Sequence, residues 1–212
     1  EGIGAACRYA ERKDREFDWD ERERQLIAVC DKYRSRNGSY DCLVPGSGGK
    51  DSVYAALVLK KKYGMHPLTV TWSPHLYTDV GWRNFQAWLH RGGVDNYLFT
   101  PDGQVHRKLT QLAYRNLLHP FQPFILGQKN YAPKMALRTG LQLVFYGENE
   151  AEYGNPVKEN ANATRDLAYF AQQQKASAQM FFGGVPVEEL PEHGILEGQI
   201  DPYLPADANA LD

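Results

Sequence analysis

Two stretches of the chain hold residue types suited to chemistry: Gly46-Ser47-Gly48-Gly49-Lys50-Asp51-Ser52 and Gly147-Glu148-Asn149-Glu150-Ala151-Glu152-Tyr153. In the first, three glycines let the backbone turn tightly and bring its N–H groups close to a ligand. A helix opening at the end of such a loop points the positive end of its dipole back into it, so the junction attracts an anion, with phosphate the expected one. In the second, Glu148, Glu150 and Glu152 crowd together and repel one another unless a cation compensates them. Mg²⁺ bound to ATP suits that place, since it is held by one or two carboxylates plus phosphate oxygens; the alternative is a solvated acidic loop.

Both stretches need elements to position them. Tyr40-Asp41-Cys42-Leu43-Val44 is a short apolar run ahead of the glycines, and Val53-Tyr54-Ala55-Ala56-Leu57-Val58-Leu59 resumes with a helical pattern, so the loop reads as a strand-to-helix turn. Lys60-Lys61-Lys62 form a solvated last turn capped near Gly64. Leu68–Trp72 reads as a second strand, Tyr97–Thr100 as a third and Leu141–Tyr146 as a further strong one. Helical stripes lie between them at Trp82, Phe85, Trp88 and Leu89, and at Val105, Leu109, Leu112, Ala113 and Leu117. Packing is the expected role of the aromatic stripe. Strands alternating with helices at these lengths give βαβ units and a parallel sheet covered on both faces. In such sheets ligands sit beyond the carboxyl ends of the strands, where Ser73–Gly81 follows the second strand.

Around this centre, residues 1–17 read as irregular and charged, and a helix is expected from Asp18 or Asp20, with Leu26, Ile27, Cys30 and Tyr33 on one face and Asn37-Gly38 at its end. In Leu118–Lys129 two prolines argue against a helix, and a helix carrying Lys134, Met135, Ala136, Leu137 and Arg138 follows. From Pro156 the pattern is a long polar helical stretch with Leu167, Tyr169 and Phe170, then Met180–Leu190, where Phe181 and Phe182 either pack or line a pocket. The domain reading is an N-terminal extension and helix (1–39), a nucleotide-binding domain (40–155) and a helical, partly irregular C-terminal segment (156–212), with the chain expected to be shortened at its C-terminus.

The 212 residues carry a net charge of −2 and are 42% hydrophobic, enough for a core and without the basic excess usual in nucleic-acid binders. Neither a signal peptide nor a run of about 18 apolar residues stands out, so a cytoplasmic protein without membrane insertion is expected. Cys7, Cys30 and Cys42 are too few and too scattered for a disulfide framework. Cys42 reads as a core residue, and Cys7, with Ala10 where a second ligand would stand, makes no zinc site alone.

The glycine loop is not a Walker A loop, which needs Gly-Lys-Ser/Thr and a glycine four residues before it: Asp51 follows Lys50, and Val44 occupies the first glycine's place. Ser47–Ser52 instead resembles the SGGxDS signature of the PP-loop ATP pyrophosphatases. Together with His75–Asn84, Phe99–Gly103 and Tyr146–Gly154, it makes most of residues 18–205 similar to the N-acetyl sugar amidotransferases, the branch of that superfamily serving surface polysaccharides and flagellar glycans. The resemblance implies a three-layer α/β/α fold like that of the adenine nucleotide alpha hydrolases, with a parallel sheet of about five strands. It also implies adenylation of a sugar's acetamido group by Mg·ATP and replacement of AMP by ammonia to give an acetamidino group.

Roles follow from the resemblance. Ser47, Gly48, Gly49 and Ser52 would cradle phosphate; Lys50 would pair with it or point to solvent; Asp51 would hold Mg²⁺ or order the loop. Thr71 and Gly147 would line the nucleotide. Asp79, Arg83, Asn84, Glu150 and Tyr153 would meet the acceptor sugar, and Glu148 and Asn149 would serve the metal or the chemistry. Lys129, Lys134 and Arg138 would reach pyrophosphate or form a solvated face.

Phe121-Gln122-Pro123-Phe124 stands where some members carry Cys-x-x-Cys, so no zinc site exists there. That also speaks against the nearest alternative, a PP-loop tRNA sulfurtransferase; another adenylating ligase and a non-catalytic ATP-binding protein stay open. No cysteine has a glutaminase-like setting. Ammonia would come from a glutaminase and cyclase-like pair similar to the subunits of imidazole glycerol phosphate synthase, with self-association left open.

Overall fold

The computed structural model describes residues 2, 4–148 and 180–206. The chain is a mixed α/β protein with a parallel sheet of three strands, β1 (Cys42–Pro45), β2 (Pro67–Trp72) and β3 (Asp95–Phe99), side by side in that order. One helix makes each crossover: α3 (Lys50–Lys61) between β1 and β2, and α4 (Asp79–Gly92) between β2 and β3. Two more follow, α5 (Gly103–Leu117) and α6 (Gln122–Thr139).

Side chains alternate across the strands, so both faces of the sheet are apolar. Cys42 and Val44 pack with Ala56 and Leu59 of α3 and Phe85 and Trp88 of α4. Leu43 and Val70 point the other way, onto Ala132 and Met135 of α6. Trp72 joins Val105 and Leu109 of α5 in a further cluster. Central β2 is buried at all six positions, whereas edge strand β3 is buried at none.

Four local expectations are corrected. Residues 1–17 are not irregular: Ala5–Glu16 form a helix, α1. Alanines and long charged side chains favour helix, and Arg12 pairs with Glu16 one turn on at 2.8 Å. The next helix, α2 (Trp19–Tyr33), starts at an Asp18 cap, whose carboxylate accepts the Glu21 N–H, but it ends short of Asn37-Gly38. Beyond it, Ser35 donates its N–H to the buried Asp41 carboxylate, and Asn37 accepts from Ser39, which holds a turn instead of another helical one.

The third correction concerns α6, which begins at Gln122 inside the proline-bearing stretch. Pro123 falls in its first turn, where the missing N–H has no partner to lose. The fourth concerns residues 141–146, which make a single parallel bridge, Leu43 to Val144, rather than a full strand. Leu43 donates to the Leu143 carbonyl and accepts from Phe145 N–H, both at 2.8 Å. Two residues on, along the same side of β1, stands Pro45, which has no N–H to extend the ladder. Among the described residues the parallel ladder therefore has three strands and this one bridge, not five strands.

After the long polar stretch that opens at Pro156, whose Leu167, Tyr169 and Phe170 lie outside the described residues, the chain forms a hairpin of β4 (Phe181–Phe182) and β5 (Val185–Pro186). Gly183 and Gly184 turn it with φ of 60° and 77°, as a two-residue hairpin demands. A 3₁₀ helix (Val187–His193), a short α-helix (Glu197–Ile200) and a last 3₁₀ turn (Asp201–Tyr203) follow, packed on α5 and α6 through Leu190, Ile195, Ile200 and Tyr203. Phe182 is core and Phe181 faces outward. Among the described residues no helix is long and apolar enough to cross a membrane.

Candidate functional site

Gly46 opens the loop between β1 and α3, and the sheet holds it. Its N–H donates to Val70 at 2.9 Å, and the Thr71 hydroxyl donates to its carbonyl at 2.7 Å. Asn96 of β3 donates one amide nitrogen to both Thr69 and Thr71, each at 2.9 Å, and Thr69 donates to the Asp95 carbonyl. Thr71 is fully buried, which corrects its expected place against the nucleotide: its hydroxyl fixes the loop from beneath.

The glycines are there for close approach. A Cβ on Gly46 would stand 2.3 Å from Ser52 Cβ. Gly48 has φ of 85° and lies against the backbone of Phe85 in α4. Gly49 caps α3 without a side chain, so no side-chain cap occupies the first-turn N–H groups. Ser52 turns its hydroxyl onto the Gly49 carbonyl at 3.1 Å, Ser47 is exposed, and Lys50 meets the Asp51 carboxylate at 2.8 Å. The Lys50 side chain is 90% exposed, so of its two expected orientations it takes the one toward solvent.

Gly147 completes this corner. A Cβ there would meet the Asp51 carbonyl carbon and the Ser52 nitrogen at 2.8 Å, so the 145–148 backbone lies directly on the first turn of α3. The first residue of the acidic stretch, Gly147, thus touches the start of α3, and the exposed Glu148 follows at once. Beside them lies an open cleft of about 290 Å³ lined mainly by Leu26, Tyr54, Val58, Phe145 and Tyr146, with Asp51 and Gly147 also on its wall. The arrangement suits an anion at the helix start with an apolar or flat group alongside it. Among the described residues no group of three His, Cys, Asp or Glu side chains is poised to hold a metal; Asp51 and Glu148 come from segments in contact and supply two hard oxygen donors, the set Mg²⁺ uses together with phosphate oxygens.

Asp79 opens α4 behind a Thr78 cap, and Arg83 and Asn84 are exposed just before the Phe85 on which Gly48 rests. Lys129 and Arg138 are exposed on α6. Lys134 does not stand on a solvated face: its ammonium donates to the Asp201 carbonyl, and burial lowers its pKa. Asn149, Glu150 and Tyr153 lie outside the described residues.

One group escapes sequence reasoning. His75, in the loop after β2, meets His106 of α5 (Nδ1 to Nε2, 2.8 Å), and His106 meets the Tyr203 hydroxyl through Nδ1 at 2.7 Å. His106 lies on the turn of Leu109 and Ala113 that faces the core, and a histidine there is the one signal the sequence carries. Burial, then the neighbouring His75, lower the pKa of His106 to about 4. Folding thus excludes a proton that the unfolded chain binds below its ordinary value of 6.5. This contribution is complete above that pH and is lost as pH falls toward 4, by up to about 3 kcal/mol. Urea unfolding at pH 7 and pH 4 is expected to show a smaller pH difference in His106→Gln than in the parent chain; equal differences would exclude the effect.

The chain matches no protein-family model and no curated protein.

Proposed function

We propose that the chain is an ATP-dependent amidotransferase of the PP-loop type, with the three-layer α/β/α fold of that superfamily, which converts the acetamido group of a nucleotide-linked sugar into an acetamidino group in cytoplasmic surface-glycan synthesis. The observation that carries the reading is the contact of Gly147 with Asp51 and Ser52. It brings Gly147, and with it the start of the segment that carries Glu148, onto the end of the phosphate-type loop past the carboxyl end of β1. There the ladder continues to β2 on one side and to Val144 on the other, the switch point at which open α/β sheets bind ligands.

An amide carbonyl is a poor electrophile with a poor leaving group, so its oxygen needs activation. The oxygen attacks the α-phosphorus of ATP, the bond to the β-phosphate breaks and pyrophosphate leaves. Ammonia then adds to the activated carbon, loses a proton and expels AMP. Backbone N–H groups of the loop and the start of α3 offer fixed dipoles to the charge growing on pyrophosphate. Asp51 and Glu148 would hold Mg²⁺, which when bound supplies charge neutralisation on the phosphate oxygens. Arg83 and Asn84, exposed beside the loop, would meet the acceptor; a uronic acid carboxylate would suit the Arg83 guanidinium.

The test is pyrophosphate release from Mg·ATP and ammonium with a panel of nucleotide-linked N-acetylated sugars, and with unmodified tRNA as the contrasting acceptor. Release dependent on an acetamido sugar is expected, falling about 100-fold in Asp51→Ala. Release with tRNA alone would replace the reading with RNA modification, and ATP binding without turnover on any acceptor would leave a nucleotide-binding protein.

A further inference from the structure

Building on the amidotransferase reading, in which the glycine loop holds ATP, we infer that Asn96 of β3 is a positioning residue for that nucleotide: acting through Thr71, it turns the Ser47 N–H outward to meet a phosphate oxygen. A chain of hydrogen bonds connects the two strands to the loop.

Thr69, Thr71 and Asn96 share the face of the sheet that packs against α3 and α4. Val44 on that face stands beside Thr69, and Thr69 beside Asn96. Cys42 and Val44 of β1 are apolar there, both threonines are fully buried, and asparagine is disfavoured in strands. A polar trio in this place calls for a reason. Asn96 Nδ2 lies 2.9 Å from each threonine hydroxyl, Thr69 Oγ1 lies 2.6 Å from the Asp95 carbonyl, and Thr71 Oγ1 lies 2.7 Å from the Gly46 carbonyl.

The two carbonyls fix every proton in this group. A carbonyl only accepts, so each threonine donates to its own, and each hydroxyl has a single proton to give. The atom facing both hydroxyls is therefore a donor, a role that only the amide nitrogen of Asn96 can fill. Turning the amide round would offer its oxygen to the hydroxyl protons and strip the bond from Gly46. As it stands, Asn96 Oδ1 is buried with no donor among the described residues. That state is unfavourable, and the arrangement that holds the loop keeps it.

The direction of the last bond matters at the loop. The Gly46 N–H already donates to Val70, so the residue is gripped at both ends. A trans peptide sets its C=O and N–H on opposite sides. With the Gly46 carbonyl drawn down to Thr71, the Ser47 N–H of the same peptide points away from it. Ser47 is exposed, and among the described residues no backbone or side-chain acceptor takes its N–H. Gly48, in the left-handed region, and the start of α3 follow at once. Ser47 N–H is thus the first donor that the loop offers an anion ahead of those at the helix start.

Calorimetric titration with Mg·ATP and NMR of the Ser47 amide, both on the full chain, test the role. Asn96→Asp keeps the shape but only accepts, so it draws the Thr71 proton off Gly46. Binding is expected to weaken about 10-fold, the size of one net hydrogen bond, in Asn96→Asp and in Thr71→Val. Asn96→Ala, which buries no charge and frees the hydroxyl without capturing it, is expected to weaken it about fivefold. Thr71→Ser restores the hydroxyl and Thr69→Val cuts only the arm to Asp95, so both should bind within about twofold of the parent. Adding Asn96→Asp to Thr71→Val should lose no further affinity, because the chain is already cut. Before any ligand is added, the Ser47 amide resonance should move in Asn96→Asp, Asn96→Ala and Thr71→Val and stay in place in Thr69→Val. A purely structural trio would weaken binding alike in Thr69→Val and Thr71→Val, and that result overturns the role. So does parent-like binding in both Asn96 variants. A parent chain that binds neither Mg·ATP nor inorganic pyrophosphate shows a different failure, that of the nucleotide reading, and the role falls with it.

Discussion

Alanine at Gly48 costs the fold about 2–5 kcal/mol and removes the phosphate-type loop as a binding element. Two effects add. The residue sits at φ of 85°, where a side chain costs about 1–2 kcal/mol because Cβ crowds the following carbonyl. The new Cβ would also stand 2.8 Å from the Phe85 Cα and 3.1 Å from its nitrogen. Those atoms are helix backbone and cannot rotate away, so α4 must shift, at about 1–3 kcal/mol by analogy with an overfilled core. Gly49 is the contrast: its φ is −71° and the nearest atom to a new Cβ is Ser47 Oγ at 4.0 Å. Its replacement by alanine should change stability by less than about 1 kcal/mol. Urea midpoints of the two variants decide the matter, with calorimetric titration of ATP reading the loop itself; equal midpoints would mean that Gly48 does not rest on α4.

The second large effect lies on the opposite face of the sheet. Gly127 of α6 faces the ring of Trp72: a Cβ there would fall 2.2 Å from Cζ2, 2.3 Å from Cε2 and 2.6 Å from Cη2. Trp72 cannot retreat, because Phe99, Tyr131 and Tyr203 surround it at centroid distances of 5.0, 6.1 and 5.1 Å. Gly127→Ala is therefore expected to destabilise by about 3 kcal/mol, although alanine in a helix interior is ordinarily better than glycine by about 1 kcal/mol. Trp72→Leu alone costs a similar amount through the cavity it leaves, but it should absorb the alanine. The double variant is expected to be about as stable as Trp72→Leu, a coupling of about 3 kcal/mol between the two positions. Strictly additive losses would show that the two do not share the space.

What was legible in the sequence, and what was not, follows from the range of the physics involved. The loop is readable because its glycines, the apolar run before it and the helical pattern after it are neighbours in the chain. The parallel direction of β1–β3 and the core role of Phe85 and Trp88 follow from periodicity in the same way, whereas the order of the strands is seen only in the fold. Helix α1 was not readable, because its apolar residues are few and outnumbered by charges, and none of its described side chains is buried. Pro123 misleads because proline both breaks helices and suits their first turn, and only the register decides between them. The strand expected at 141–146 failed through Pro45, a residue about 100 positions away, since a ladder is a property of two segments. Thr71 and Lys134 were assigned by type and position, whereas Gly46 and Asp201 claim their polar atoms. His106 and Tyr203 meet only in the fold, and no local pattern joins them.

The lone bridge from Leu43 to Val144 has a consequence for the order of assembly. Leu43 meets Leu68, and Leu68 meets Asp95, across about 25 residues each, while Val144 must return across about 100. The longer closure costs about 1 kcal/mol more in chain entropy, for a return of two hydrogen bonds. During synthesis, which proceeds from the N-terminus, the three strands and their two crossover helices can be in place before Gly147 reaches the first turn of α3. The chain thus holds a finished sheet before it holds a finished site: Asp51 is in place early, and Glu148 arrives last.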